Sequence, residues 1–166
     1  MMIQVGGPEY QISAAHFLAS PNLIESLHGH NYLVSISLEF SDLVDGMAAD
    51  FNLVGQTLFA GLHSLQQRVL LAEHNSRYKI QTYAERQEIE VSFAHSSRRY
   101  IFPLADTVLL PFNDTTTENI ALYLQERFGM LWQRQNGRPY DAITIIVEEA
   151  PGRVAQISKS YGGPSK

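Results

Sequence analysis

The chain has 166 residues, 45% of them hydrophobic and 17% charged, with a formal net charge of −5 and no cysteine. That length and balance suit one folded domain with its own core. The acidic charge argues against a nucleic-acid groove, the missing cysteine excludes disulfides and thiolate chemistry, and no apolar run reaches the ~18 residues of a membrane span.

The start, Met1-Met2-Ile3-Gln4, lacks the basic and apolar regions of a signal peptide, so the cytoplasm is the expected location. Residues 3–17 read as a strand with Tyr10, Ile12, Ala14 and His16 on one face, interrupted early by Gly6-Gly7-Pro8. Ala19-Ser20-Pro21-Asn22 is turn-like. Residues 30–40 carry the clearest strand pattern: Tyr32, Val34, Ile36, Leu38 and Phe40 alternate with Leu33, Ser35, Ser37 and Glu39. His28 and His30 join the first set if the strand extends back that far. After a loop over 41–50, Val54, Leu58, Leu62, Leu65 and Val69 form one stripe of a helix expected at about 52–71.

Short alternating stretches at 78–82, 88–93 and 99–102, with a hairpin turn at His95-Ser96-Ser97, read as a β insertion over about 76–110. It sits inside a single domain, 1–166. Asp114-Thr115-Thr116-Thr117-Glu118-Asn119 opens a second helix, with the stripe Ile120, Leu124, Phe128 and Leu131, and Asn136-Gly137-Arg138-Pro139 ends it. Residues 142–149 and 154–158 form the last two strands around Pro151-Gly152, and the tail 162–166 is expected to fray. This order predicts an α+β fold, an antiparallel sheet with helices on one face.

His28 and His30 lie two residues apart and project from one face of an extended strand. With His16 they offer three neutral imidazoles, which suit a zinc ion that keeps one position open. Spacing alone leaves a polar turn and an ordinary strand histidine as the alternative. Three histidines entering two adjacent strands favour the metal.

Several segments together resemble one family. Ala14-Ala15-His16, His28-Gly29-His30-Asn31-Tyr32, Gly46-Met47 with Asp50-Phe51, Thr116-Thr117-Glu118-Asn119 and Glu149 occur in the order found in the 6-pyruvoyltetrahydropterin synthase / 6-carboxytetrahydropterin synthase family. The likeness spans about residues 10 to 150, apart from the β insertion. It implies the tunnelling fold (T-fold): a four-stranded antiparallel sheet with two helices on one face. It also implies a homo-oligomer, a hexamer built as a dimer of trimers, in which protomers close a β-barrel and so remove their sheet edges. Zn2+ is the implied cofactor, with His16, His28 and His30 as ligands. The implied pterin anchor is Glu149, with Thr116, Thr117 and Glu118 lining the same pocket. Glu118 has a competing role, since Thr115-x-x-Glu118 matches a capping box. Glu148 is the neighbour of Glu149 and points to the opposite face.

Two departures shape the functional reading. Many members carry a catalytic cysteine four residues before the first histidine of His-Gly-His, where this chain has Ile24. A subclass carries a glutamate three residues before it, and Glu25 matches that position. The likeness therefore implies that Glu25 moves the proton, with an outcome closer to side-chain cleavage than to phosphate elimination. Second, the family's Asp-His pair late in the first helix aligns with Gln66-Gln67, which cannot exchange protons near neutrality. His74, in Glu73-His74, is the alternative catalyst in a shifted register, and His63 and His95 read as surface or packing residues. The expected activity is a zinc-dependent lyase acting on the side chain of 7,8-dihydroneopterin triphosphate or a related dihydropterin. The alternative is a pterin- and zinc-binding paralogue that has lost turnover. Neither reading involves nucleic acid or a membrane.

Overall fold

A computed structural model describes residues 1–94 and 96–161. The alternating run that begins at the histidines becomes the long strand β3 (His28–Glu39), the spine of the main sheet. Tyr32, Val34, Ile36 and Leu38 are buried on one face, as their period predicts. Antiparallel partners flank β3: β9 (Ala142–Ala150) on one side, and both β1 (Met2–Val5) and β2 (Gln11–His16) on the other. The single early strand expected over 3–17 is thus two strands. Gly7, at φ +141°, starts a turn closed by the Tyr10 amide on the Gly7 carbonyl, and the chain rejoins the same edge of β3. The last strand, β10 (Arg153–Ser160), pairs with β9.

Helix α1 (Phe51–His63) is capped by Asp50, whose carboxylate accepts from the Asn52 amide. It stops eight residues short of the expected end at 71. Gln67 takes φ +56° and its amide donates to the Ser13 carbonyl, and the chain continues as strand β4 (Arg68–Ala72), parallel to β2. Val69 continues the helical spacing, yet the short apolar run Val69-Leu70-Leu71 fits a buried strand equally well. Strand β8 (Thr107–Leu110) then pairs in parallel with β4. The main sheet therefore has seven strands, not four, and it is mixed rather than wholly antiparallel.

Between β4 and β8 lies a separate three-stranded antiparallel sheet: β5 (Tyr78–Tyr83), β6 (Glu88–Phe93) and β7 (Arg99–Pro103). Only this part of 76–110 stands apart, because β8 belongs to the main sheet. It has its own small core, in which Tyr78, Ile89, Val91 and Phe93 pack on Phe17, Ala19, Leu71 and Ala72. His95, in the expected hairpin turn, and the tail 162–166 lie outside the described residues.

α1 and helix α2 (Thr117–Arg134) cover the face of the main sheet that carries Ile12, Tyr32, Val34 and Ile36. On α2 the stripe holds at Ile120, Leu124 and Phe128, and Trp132 rather than Leu131 takes the next buried position. Its indole packs over Gly137, where a Cβ would sit 2.2 Å from the ring. No helix among the described residues is long and apolar enough to cross a membrane.

Candidate metal centre and adjoining pocket

The register between β2 and β3 sets His16 opposite His28 and Ala14 opposite His30. Strand alternation then brings three imidazoles to one face, at the end of the sheet. Their ring centroids are 4.6 Å (His16–His28), 4.9 Å (His28–His30) and 5.2 Å (His16–His30) apart. One ring nitrogen from each lies within 4.8 Å of the others, so the group can hold a metal ion.

Hydrogen bonding favours ligation. His16 Nδ1 is 2.9 Å from the Thr115 carbonyl, and His28 Nδ1 is 2.9 Å from the Ser26 carbonyl. A carbonyl only accepts, so both rings carry a proton on Nδ1, which leaves Nε2 as the nitrogen that can bind a metal. The Tyr32 hydroxyl, 3.2 Å away, donates to His16 Nε2. His30 Nε2 is buried with no hydrogen-bond partner among the described residues. Such an orphaned nitrogen costs free energy, and a metal ion would satisfy it. Burial lowers the pKa of His16, opposed by the Thr115 carbonyl and reinforced by His28 and His30, so its neutral form prevails. Three imidazole nitrogens suit a borderline divalent metal such as zinc.

Glu25 sits on the loop between β2 and β3. Its amide donates to the Leu18 carbonyl, and its carboxylate Oε2 lies 3.9 Å from His28 Nε2. The structure therefore brings Glu25 to the histidine group. Arg98, which no sequence pattern singled out, donates from Nη1 to the carbonyls of Ile24 (3.0 Å) and Glu25 (2.8 Å).

A cavity of about 540 Å³ beside His16 is lined also by Thr116, Thr117, Glu118, Glu149 and Arg153. Glu149 Oε2 accepts from Thr117 Oγ1 at 2.5 Å, and Oε1 lies 3.7 Å from His30 Nε2. The Thr117 hydrogen bond holds the Glu149 pKa below the ordinary carboxylate value against the opposing effect of burial, and His30 and His16 assist. Glu148 faces away: it accepts from the Gly152 amide at 3.0 Å and borders a groove on the other face with Leu33 and Val154. The expected Thr115–Glu118 capping box does not form. Thr116 is the N-cap, accepting from the Asn119 amide at 3.3 Å. Thr115 is turned inward instead, and its hydroxyl donates to the Phe17 carbonyl at 3.2 Å. A run of three threonines offers three candidate caps, and burial beside His16 decides which one turns in.

Gln66 is a brace, its Oε1 accepting from the Ser13 amide at 2.9 Å. Gln67 makes the turn into β4 and lines a separate cavity with Gly29, Asn31 and Arg68. His74 is exposed just beyond β4, its amide donating to the Phe112 carbonyl, and it is not among the grouped histidines.

The model of the family described as 6-pyruvoyl tetrahydropterin synthase matches residues 8–160. A Methanocaldococcus jannaschii protein provisionally named 6-carboxy-5,6,7,8-tetrahydropterin synthase is 25% identical over 158 residues, 93% of this chain and 94% of that protein. The crystal structure of 6-pyruvoyl tetrahydropterin synthase from Plasmodium vivax superposes with a TM-score of 0.87 at 24% identity, covering 97% of this chain and 98% of that one. A variant of that protein, with its catalytic glutamate changed to alanine, superposes at 0.84 with the same identity and coverage. The matched span takes in all three histidines, Glu25, the threonine run and Glu149, and the chain belongs to the 6-pyruvoyl tetrahydropterin synthase family.

Proposed function

We propose that this chain is a zinc-dependent lyase acting on the side chain of 7,8-dihydroneopterin triphosphate or a related dihydropterin. The observation that carries the reading is one constellation: three grouped imidazoles, the Glu25 carboxylate 3.9 Å from His28, and the Glu149 carboxylate 3.7 Å from His30. Glu149, kept ionised, is an acceptor for two hydrogen bonds from the flat amino-pyrimidine edge of a pterin. Thr116, Thr117 and Glu118 line the same cavity. His16, His28 and His30 hold the metal, and Zn2+ bound there supplies a Lewis acid that lowers the pKa of a substrate hydroxyl. Glu25 takes up the side-chain proton and returns it to the product. A glutamate is also the catalytic residue named for the Plasmodium vivax relative. With glutamate in place of cysteine the expected outcome is side-chain cleavage, giving 6-hydroxymethyl-dihydropterin.

The test is direct: incubate zinc-loaded protein with 7,8-dihydroneopterin triphosphate and separate the pterins. New pterin in excess of the protein supports the lyase. Binding without conversion supports the second reading, a pterin- and zinc-binding paralogue. One observation favours that second reading: Gln66, where the family's aspartate is expected, is committed to the backbone of β2.

Glu149→Gln should weaken pterin binding on the order of 10- to 100-fold, because an amide then presents a donor to a donor. Glu148→Gln, on the other face, should change it little. Equal effects in a binding titration would contradict the assigned faces.

The assembly proposed is a hexamer of two stacked trimers. β10 and β8 are sheet edges, and the uncovered face exposes Leu33 and Val154; closing a barrel between protomers would cover such edges. Sedimentation should give a multiple of the 18.7 kDa chain, and a stable monomer would remove this assembly.

A further inference from the structure

We propose that the three-stranded insertion is a positioning device for Glu25, acting through Arg98. This rests on the reading of Glu25 as the proton carrier. The insertion grips the loop between β2 and β3 at both ends. At the start, Tyr100 of β7 stacks on Phe17, the residue after His16, with ring centroids 5.4 Å apart and planes 28° from parallel. At the end, Ile24 packs into the insertion's apolar cluster, and Arg98 Nη1 bonds the carbonyls of Ile24 and Glu25. Just ahead of the insertion, Asn75 Nδ2 donates to the Ala19 carbonyl at 3.2 Å.

Two successive carbonyls are a specific target. The Ile24 carbonyl belongs to the peptide plane before the Glu25 Cα, and the Glu25 carbonyl to the plane after it. A planar peptide leaves only φ and ψ free, so orienting both planes sets the backbone of Glu25 and the direction of its side chain. The two bonds come from one charged nitrogen of a planar fork, which makes them stronger and more directional than neutral pairs. Arg98 belongs neither to the histidine group nor to the lining of the pterin cavity. It acts through Glu25, and a shift of about 1 Å in such a group can cost ~10²-fold in rate.

The test uses the full chain, zinc-loaded, with 7,8-dihydroneopterin triphosphate as substrate. Arg98→Ala should speed amide exchange at Glu25, whose N–H is bonded to Leu18, and lower kcat on the order of 10- to 100-fold, with KM and zinc content within about twofold of wild type. Arg98→Lys, which keeps the charge but not the fork, should recover part of kcat, and it serves also if the alanine variant folds poorly. In a Glu25→Gln background, Arg98→Ala should cost nothing further. Unchanged exchange at Glu25 overturns the clamp. An equal additional loss of kcat in the Glu25→Gln background, or loss of zinc, overturns the positioning role and makes Arg98 a general structural residue. If Glu25→Gln alone were fully active, the reading of Glu25 would fail and the positioning role with it, while exchange would still report whether the clamp exists.

Discussion

Purified protein should contain one zinc per chain, and His28→Ala should remove it. The expected loss of affinity exceeds the ~10- to 100-fold that follows removal of a mere outer-shell partner, because a ligand itself is gone. His28 is the exposed member of the three, so its loss leaves no unfilled space in the core. His30→Ala should lose metal equally and in addition remove the orphaned buried Nε2, so the metal-free form of that variant should be no less stable than metal-free wild type. Acidification should also release metal, because protons compete for the imidazoles. Burial shifts this competition at His16 to lower pH than for an ordinary histidine. Metal analysis after gel filtration checks each forecast, and stoichiometric zinc that survives His28→Ala undiminished would rule out this site.

Elements whose pattern is local and repeated are legible in the sequence. β3 alternates over its whole length, and the face that carries Tyr32 and Val34 also carries His28 and His30, so the phase of the strand was enough to group the histidines. The same alternation separates Glu149 from Glu148. What was not legible depends on partners far away in the chain. The end of α1 is set by the pairing of Arg68 and Val69 with Ala14 and Ala15 on β2, which no spacing within 52–71 encodes. The place of β8 beside β4 is likewise a long-range pairing across the whole insertion. Arg98 is separated from Glu25 by 73 positions and belongs to no motif, so only the fold reveals that the two meet. Thr115 is hidden for the same reason: it matches a capping pattern, while its partners His16 and Phe17 lie 99 and 98 positions away.

Glu25→Gln should reduce product formation to a small residual rate while zinc and pterin still bind. The amide has the same size and can still donate a hydrogen bond, but it cannot take up or release a proton near neutrality. General acid–base catalysis supplies ~10²–10⁴-fold, and the loss should fall in that range. It should fall toward the upper end here, because Gln66 and Gln67 offer no second proton carrier: one is bonded to the Ser13 amide and the other forms a turn at φ +56°. Installing the family's pair, Gln66→Asp with Gln67→His, should raise turnover if those positions face a neighbouring protomer's site. Asp is shorter by a methylene, so the same change gives up the brace on Ser13 and should lower thermal stability by about 1 kcal/mol. The competing forecast belongs to His74. It is exposed and lies at the same end of the main sheet as His16, since β4 runs parallel to β2. If His74→Ala is as damaging as Glu25→Gln, the two share the proton transfer. If Glu25→Gln retains full activity and His74→Ala does not, the carboxylate 3.9 Å from His28 is a bystander and the base is His74.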